Sequence, residues 1–386
     1  LEDLSDAQIE AMAGGPILRA EAVSAGGPLF VPARAKARGI ARLKDALQRG
    51  APGGEPLTVP LLVLTAQRRR AVAFDGGGLI REGADAAHLK LIASLHDGCQ
   101  ETFALFCQFL ETAFPDADEY TSVVPYITDL VHVHGLEPAL AFHAYRPALR
   151  RLDLAPAERE KEASAEAPGA EIADAGSARV TRSKLLRDVS SMLPSDVWRS
   201  ISPELYLSFW SLAPYDLEPP TQRYESEMER CRVAAEKLER EIARESATSS
   251  VSAAAFAETA KQKRKERDRL RELCKSLEKE MAVQEKHVAA VAKRLRIETA
   301  RFLTDGDSLT NRGATVTVFA QRCALPRLAL SHADARYCAN FVERLHVCRT
   351  PWFSTITYLN SIFAMMQHLC FSRTVYEAGR LGTFLD

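Results

Sequence analysis

Two runs of apolar residues, spaced alternately by four and three, occupy residues 224–302 and leave this chain little choice of fold. The first takes Tyr224, Met228, Cys231, Ala235, Leu238 and Ile242. The second takes Leu270, Cys274, Leu277, Met281, Gln284, Val288, Val291, Leu295 and Phe302. Such a repeat keeps one seam on a helix and cannot be met by a strand, whose side chains alternate every two residues. The polar stretch Ser246 to Ser252 separates the runs, so the spacing predicts an antiparallel α-hairpin over 221–302. Its second arm, from Lys261 to Phe302, reaches roughly 60 Å at 1.5 Å per residue.

Just upstream, Ile201 to Glu227 is the densest aromatic segment of the chain. Ser202 suits an N-cap and Pro203 the first helical position, after which Leu205, Tyr206, Phe209 and Trp210 fall at helical spacing. Pro214, Pro219 and Pro220 stop that helix. Large aromatics bury much area per residue, so Tyr206, Phe209, Trp210 and Tyr215 are read as a packing keystone between helical layers over 184–220.

The first half reads as helix, short loop, helix. Residues 1–56 hold a short helix at Asp6 to Met12, the breakers Gly14-Gly15-Pro16 and Gly26-Gly27-Pro28, and a basic amphipathic helix from Ala33 to Gln48. The charges of that last helix fit either a solvated face or a polyanion or partner patch. Over 57–153, helices are expected at Leu57 to Phe74, Ala86 to Thr112, Val124 to His134 and from Pro138 to Pro147. The second of these would bury Ile92, Leu95, Cys99, Phe103, Phe106 and Leu110. Asp75-Gly76-Gly77-Gly78 reads as a flexible turn and lacks the GK[ST] ending of a phosphate loop. This succession is the pattern of an α-solenoid. Residues 154–183, rich in Ala, Glu, Ser, Pro and Gly, read as a linker. The last segment, 303–386, includes Pro351 to Phe371, an uncharged run with too many polar groups for a membrane span; it is read as one or two buried helices.

The fold class predicted is thus all-α: a helical-repeat domain, a linker, aromatic helices, a long hairpin and a final helical layer. A hydrophobic content of 46% supports a substantial core, and 50 basic against 51 acidic residues leave no net field toward nucleic acid or membranes. Any such contact must be local. The cysteines form no CxxC pair and fit reduced thiols of an intracellular protein. The chain starts at Leu1 and ends within patterned sequence, so it reads as a piece of something longer.

Two basic clusters stand out. Arg68, Arg69 and Arg70 fall late in a helix, where they complement its dipole or contact RNA or a partner. Lys261, Lys263, Arg264, Lys265, Arg267, Arg269 and Arg271 form either a solvated hairpin arm, an RNA contact or an import signal, without interleaved aromatics for base stacking. No metal site is nominated: His132 and His134 project about 200° apart on a helix, and His332, Cys338, His346 and Cys348 lack chelating spacings. No nucleophile elbow, HExxH or EF-hand loop occurs, so no catalytic residue and no cofactor site is expected, and the chain is read as a non-enzyme.

The order of residue types carries a resemblance as well. Ser202-Pro203, Tyr206, Phe209-Trp210-Ser211-Leu212, Tyr215-Asp216-Leu217, Pro220, Tyr224-Glu225 and Glu227 form one set. Cys323, Pro326-Arg327, Ser331, Asp334-Ala335, Tyr337-Cys338-Ala339, Phe341-Val342-Glu343, His346, Thr350-Pro351 and Phe353-Ser354-Thr355 form a second, continued by Glu377-Ala378, Arg380, Gly382 and Phe384-Leu385. Both resemble the THO complex subunit 2 family in order and spacing. A looser likeness covers 57–150, through Pro60-Leu61, Gln67-Arg68, Phe74 with the glycines after it, His88-Leu89-Lys90-Leu91, Leu95, Asp97, Cys99, Val124-Pro125 and Arg146-Pro147. The resemblance implies an MIF4G-like helical domain and a nuclear, non-enzymatic scaffold of the THO/TREX mRNA-export machinery. The implied partners are other THO subunits, a DEAD-box RNA helicase of the export pathway and, weakly or indirectly, mRNA, with no membrane. The alternative is an MIF4G-like helicase-binding adaptor in translation or mRNA decay.

Overall fold

Every regular element among the described residues is helical, and the one extended pairing is an isolated antiparallel bridge between Ile201 and Leu303. The computed structural model describes residues 5–25, 33–50, 54–81, 86–154, 182–248, 253–303 and 309–386. Residues 155–181, most of the expected linker, lie outside the described residues, as do 249–252 between the two heptad runs. The fold is all-α. Two compact units divide the chain, Leu1–Phe30 with Ala213–Leu295, and Val31–Leu212 with Arg296–Asp386.

The first unit is organised by the heptad runs. They form the helices Thr221–Thr248 and Ala253–Glu298. Contacts climb one helix while descending the other: Glu245 meets Lys263, Glu239 meets Arg271, the Met228 carbonyl meets Cys274, and Tyr224 meets Glu280 and Gln284. The arms therefore run antiparallel. Tyr224, Met228, Cys231, Leu277 and Gln284 are buried along the seam.

Two short N-terminal helices, Asp6–Ala11 and Pro16–Ala25, complete this unit's core through Ala11, Leu18 and Ala22. Their attachment is polar. The Tyr224 hydroxyl accepts from the Gly15 amide at 2.8 Å and lies 3.1 Å from a Glu280 carboxylate oxygen. Glu280 in turn accepts from the amides of Ile17 and Leu18 at 2.9 and 3.0 Å. A carboxylate thus sits on the orphan N–H groups opening Pro16–Ala25, where the helix dipole favours negative charge. The approach leaves no room for a side chain at position 15, since a Cβ there would fall 2.3 Å from the Glu280 carboxyl carbon.

The second unit opens with Ala33–Arg49 and the pair Thr58–Arg81 and Ala86–Ala113. The expected turn at Asp75 to Gly78 is absent: the helix continues through the three glycines to Arg81. Each glycine costs only about 1 kcal/mol against alanine in a helix, and packing along Ala86–Ala113 offsets that. The buried line of Ala86–Ala113 is also rotated from the one expected. Asp97, Gln100, Phe103, Cys107 and Leu110 face inward, while Leu95 is exposed. Hydrogen bonding explains the rotation, because Thr374 donates to Asp97 at 2.8 Å and Gln100 donates to the carbonyl of Ala329.

Further on, Ala117–Val123 is capped by Asp116, whose carboxylate accepts from the amides of Asp118 and Glu119. Ile127–His132 follows, and then Pro138–Leu154 runs through Pro147 instead of ending there. The C-terminal part comprises Leu309–Phe319, a π-helical turn at Ala320–Ala324, Leu325–Leu328, His332–Val347, Thr355–Ser372 and Val375–Leu385. Within the uncharged run 351–371 there is one helix, beginning at Thr355 and buried on one face only.

The Gly15 contact yields a test. Gly15→Ala is expected to push Glu280 off the helix start at a cost of about 1–2 kcal/mol. Amide exchange should then lose protection in Pro16–Ala25 while Ala253–Glu298 keeps its own; equal protection in both would contradict the assignment.

Candidate functional site

The most unusual chemistry of the second unit is a guanidinium with no exposure at all, that of Arg327. Its local sequence places it there. Pro326 has no amide hydrogen and its ring crowds the carbonyl four residues back, and the chain widens into the π-helical turn Ala320–Ala324 just before it. Arg327 then points inward. Its Nε donates to Asp334 at 2.9 Å, one terminal nitrogen to the Phe209 carbonyl, and the other to the Leu212 carbonyl at 2.8 Å. The guanidinium carbon stands 3.4 Å from the Tyr337 ring centre, with the rings of Phe209 and Trp210 close by.

Phe209 and Leu212 lie at the C-terminal end of the helix Pro203–Ser211, where carbonyls lack helical partners and the dipole favours a cation. Arg327 closes that end. The Tyr337 hydroxyl donates to the same Phe209 carbonyl at 2.9 Å. Asp334, also buried, takes a second guanidinium from Arg146 at 3.1 Å and bonds to Ser331, whose hydroxyl caps His332–Val347. One carboxylate thereby joins Pro138–Leu154, Leu325–Leu328 and His332–Val347. Burial pushes the Asp334 carboxyl up, but Arg146 and Arg327 pull harder and hold it well below the usual carboxylate range. For Arg327, burial opposes the charge, while Tyr337 and Asp334 favour it and prevail.

Around this centre the rings of the aromatic helix divide their contacts. Tyr206 and Trp210 meet Phe142 of Pro138–Leu154 at centroid distances of 5.4 and 5.9 Å. Phe209 meets Phe319, Tyr337 and Phe341 at 5.6, 5.6 and 5.1 Å on the C-terminal side. Tyr206, Phe209 and Trp210 are buried. Tyr215 belongs to the other unit, half-buried and 5.5 Å from the His287 ring, beside the 2.7 Å contact of His287 with Asp216.

The basic clusters are divided by pairing. Arg69 is engaged, donating to His96 at 3.2 Å and lying 3.7 Å from Glu137, whereas Arg68 and Arg70 are exposed. Lys263 pairs with Glu241 and Glu245, Arg267 with Asp268, Arg269 with Glu266, and Arg271 with Glu239. Lys261, Arg264 and Lys265 are exposed, and spacings of three and four set them on one helix face. That trio is the unneutralised remainder of the basic run.

A second buried polar group lies where Ala86–Ala113 meets the C-terminal helix. Burial lowers the His96 pKa, helped by Arg69, and raises that of Asp97. Arg380 donates to the Ala329 carbonyl at 2.7 Å. Four of the histidines and cysteines considered from sequence have hydrogen-bonding partners. His132 meets Ser191, His332 meets Thr383, His346 meets Thr355 and Cys338 meets the Ala324 carbonyl. No cluster of three or more metal-ligating side chains exists among the described residues, and no helix among them is long and apolar enough to cross a membrane.

Buried charge in the second unit joins helices, and this defines the class: an all-α protein with a buried ion network between its helices. Residues 198–386 match the family model described as "Transcription factor/nuclear export subunit protein 2", Tho2. The chain belongs to the THO complex subunit 2 family. It is 34% identical over 400 residues to the THO complex subunit 2 of Arabidopsis thaliana and 31% identical over 393 residues to those of Homo sapiens and Mus musculus. These matches take in 100% of this chain but 20% of the Arabidopsis protein and 22% of the mammalian ones, so the chain spans about a fifth of these relatives' length.

Arg327 and Asp334 were within reach of the sequence. Arg327 is the one charge in the apolar stretch Cys323 to Leu330, and Asp334 follows seven residues later, but nothing in that pattern names the carbonyls they meet. Arg327→Met is expected to cost about 3–5 kcal/mol, because it leaves buried partners unsatisfied. Asp334, with its folded pKa depressed, contributes stability above its unfolded pKa of about 4 and loses it as pH falls toward the folded value. Urea unfolding between pH 7 and 2 should show a steeper acid loss for the wild type than for Asp334→Asn; parallel curves would refute this.

Proposed function

We propose that this chain is a scaffold segment of the nuclear THO/TREX mRNA-export machinery, without catalytic activity of its own, that holds other THO subunits and a DEAD-box RNA helicase. One observation supports the helicase part most directly. The helices of 57–153 and of 303–386 fall in one compact unit and are joined by the Arg146–Asp334–Arg327 contacts. A two-lobed helicase needs two surfaces held in a fixed relation, and a buried ion network supplies that fixity better than a surface contact does. In this reading 57–153 is an MIF4G-like surface and 303–386 the second one, while ATP chemistry stays with the helicase.

Contact with mRNA is assigned to the cations that no acid neutralises, Arg68 and Arg70 on one helix and Lys261, Arg264 and Lys265 on the other. Arg69, Lys263 and Arg267, which have acidic or histidine partners, play a lesser part. The charge reversal of Lys261, Arg264 and Lys265 together is expected to weaken RNA binding and flatten its salt dependence, by a slope of up to about two to three. An unchanged slope would remove this trio from the RNA contact.

The decisive experiment is the RNA-stimulated ATPase rate of the export helicase, titrated with this chain and accompanied by co-purification. Binding with altered turnover is expected. Binding without altered turnover would reduce the chain to a tether, and capture of neither helicase nor THO subunits would overturn the reading.

A further inference from the structure

His96 stands where three helices of the second unit are tied together. Its own helix, Ala86–Ala113, is bonded there to Thr58–Arg81 through Arg69 and to the start of Val375–Leu385 through Asp97. Arg69 Nε donates to His96 Nε2 at 3.2 Å. An arginine Nε always carries its hydrogen, so His96 Nε2 must offer a lone pair. The imidazole is therefore neutral, with its one hydrogen on Nδ1. That nitrogen is buried, makes no hydrogen bond and lies 3.7 Å from Asp97 Oδ1.

The same carboxylate oxygen already has a partner. Thr374 Oγ1 donates to Asp97 Oδ1 at 2.8 Å, and Thr374 is the N-cap of Val375–Leu385. Its hydroxyl accepts from the Glu377 amide at 3.2 Å, while the Glu377 carboxylate accepts from the Thr374 amide at 3.4 Å. One oxygen thus stands between the His96 ring and the cap of the last helix. Arg69 faces the ring from Thr58–Arg81, Glu377 from Val375–Leu385 and Asp97 from its own helix, with Arg380 close to Asp97. Glu137, just before Pro138–Leu154, lies 3.7 Å from Arg69. Two other helices pack on Ala86–Ala113 further along, where Lys44 meets the Ala113 carbonyl and His143 the Phe103 ring.

A proton added to Nε2 sets an N–H against the N–H of Arg69 and a second cation beside it, and Glu137 is at hand to take the displaced guanidinium. The charged ring also attracts Asp97 Oδ1, in competition with Thr374. We propose that His96 is a proton-operated latch: one proton on its Nε2 releases Arg69 and draws Asp97 from Thr374, so that Thr58–Arg81 and Val375–Leu385 loosen from Ala86–Ala113 together. The latch is closed at neutral pH. Burial and Arg69 outweigh Asp97 and Glu377 and hold the His96 pKa below its ordinary value. Its contribution to stability is therefore complete above the unfolded pKa of about 6.5 and is lost as pH falls through that value toward the lower folded one. Asp97 works in the opposite sense, since burial raises its pKa and falling pH then favours the folded state.

The test follows the ring nitrogens of His96 by NMR in the whole chain between pH 8 and 5, together with amide-exchange protection factors. The wild type is expected to show the neutral Nδ1–H tautomer at pH 7.5 and a protonation midpoint below 6.5. Protection around Arg69 and in Val375–Leu385 should fall severalfold along that same midpoint, while His332–Val347 keeps its own. In His96→Gln, whose amide oxygen accepts from Arg69 at every pH, protection of both segments should no longer follow pH over this range. An Nε2–H tautomer at pH 7.5, or a midpoint at or above 6.5, would overturn the latch. So would equal losses of protection in the wild type and in His96→Gln. Tautomer and midpoint are read on the wild type, so they decide the matter even where the variant folds poorly.

Discussion

A guanidinium stripped of water is tolerable only if every direction it faces supplies a partner, and Arg327 meets that condition with one carboxylate, two carbonyls and an aromatic face. The requirement runs both ways. The aromatic helix Pro203–Ser211 ends at carbonyls that need a donor, Asp334 needs cations to stay ionised, and Tyr337 needs an acceptor. Each group satisfies another from a different helix, so none can be repositioned alone. The rings around them add area but are less demanding about direction. The polar centre fixes the helices, and the rings fill the space the centre defines.

The periodicities made much of this fold legible in the sequence and none of its ion network. Heptads placed both hairpin arms, and Ser202-Pro203 placed the start of the aromatic helix, because these signals are local. Arg327 finds its carbonyls 115 and 118 residues away, a separation at which spacing says nothing. The same limit explains the helix Ala86–Ala113. Its apolar spacing favoured Leu95, whereas Asp97 and Gln100 are buried because Thr374 and Ala329 wait for them. The three glycines after Asp75 misled for a different reason: their penalty is small per residue, and tertiary packing overrules it.

Surface chemistry was legible only in part. The run Lys261 to Arg271 is visible as charge, but which cations remain available depends on Glu239, Glu241 and Glu245 of the opposite arm. Likewise, the lack of charge in 351–371 said that this helix meets apolar surroundings. It did not say that Ile356, Leu359 and Phe363 stay exposed.

The polar node at Gly15 bears on how the first unit comes into being. Leu18 meets Glu280 across 262 residues, so the N-terminal helices leave the ribosome long before the carboxylate that caps them exists. At about 5–20 residues per second that interval is on the order of ten to fifty seconds. Helices this short are marginal alone, and their apolar sides, Ile9, Leu18 and Ala22 among them, stay uncovered for that time. Residues 31–212, which belong to the other unit, are synthesised entirely within the wait. The order of synthesis thus makes these two helices wait longer for their partners than any other helix of the unit.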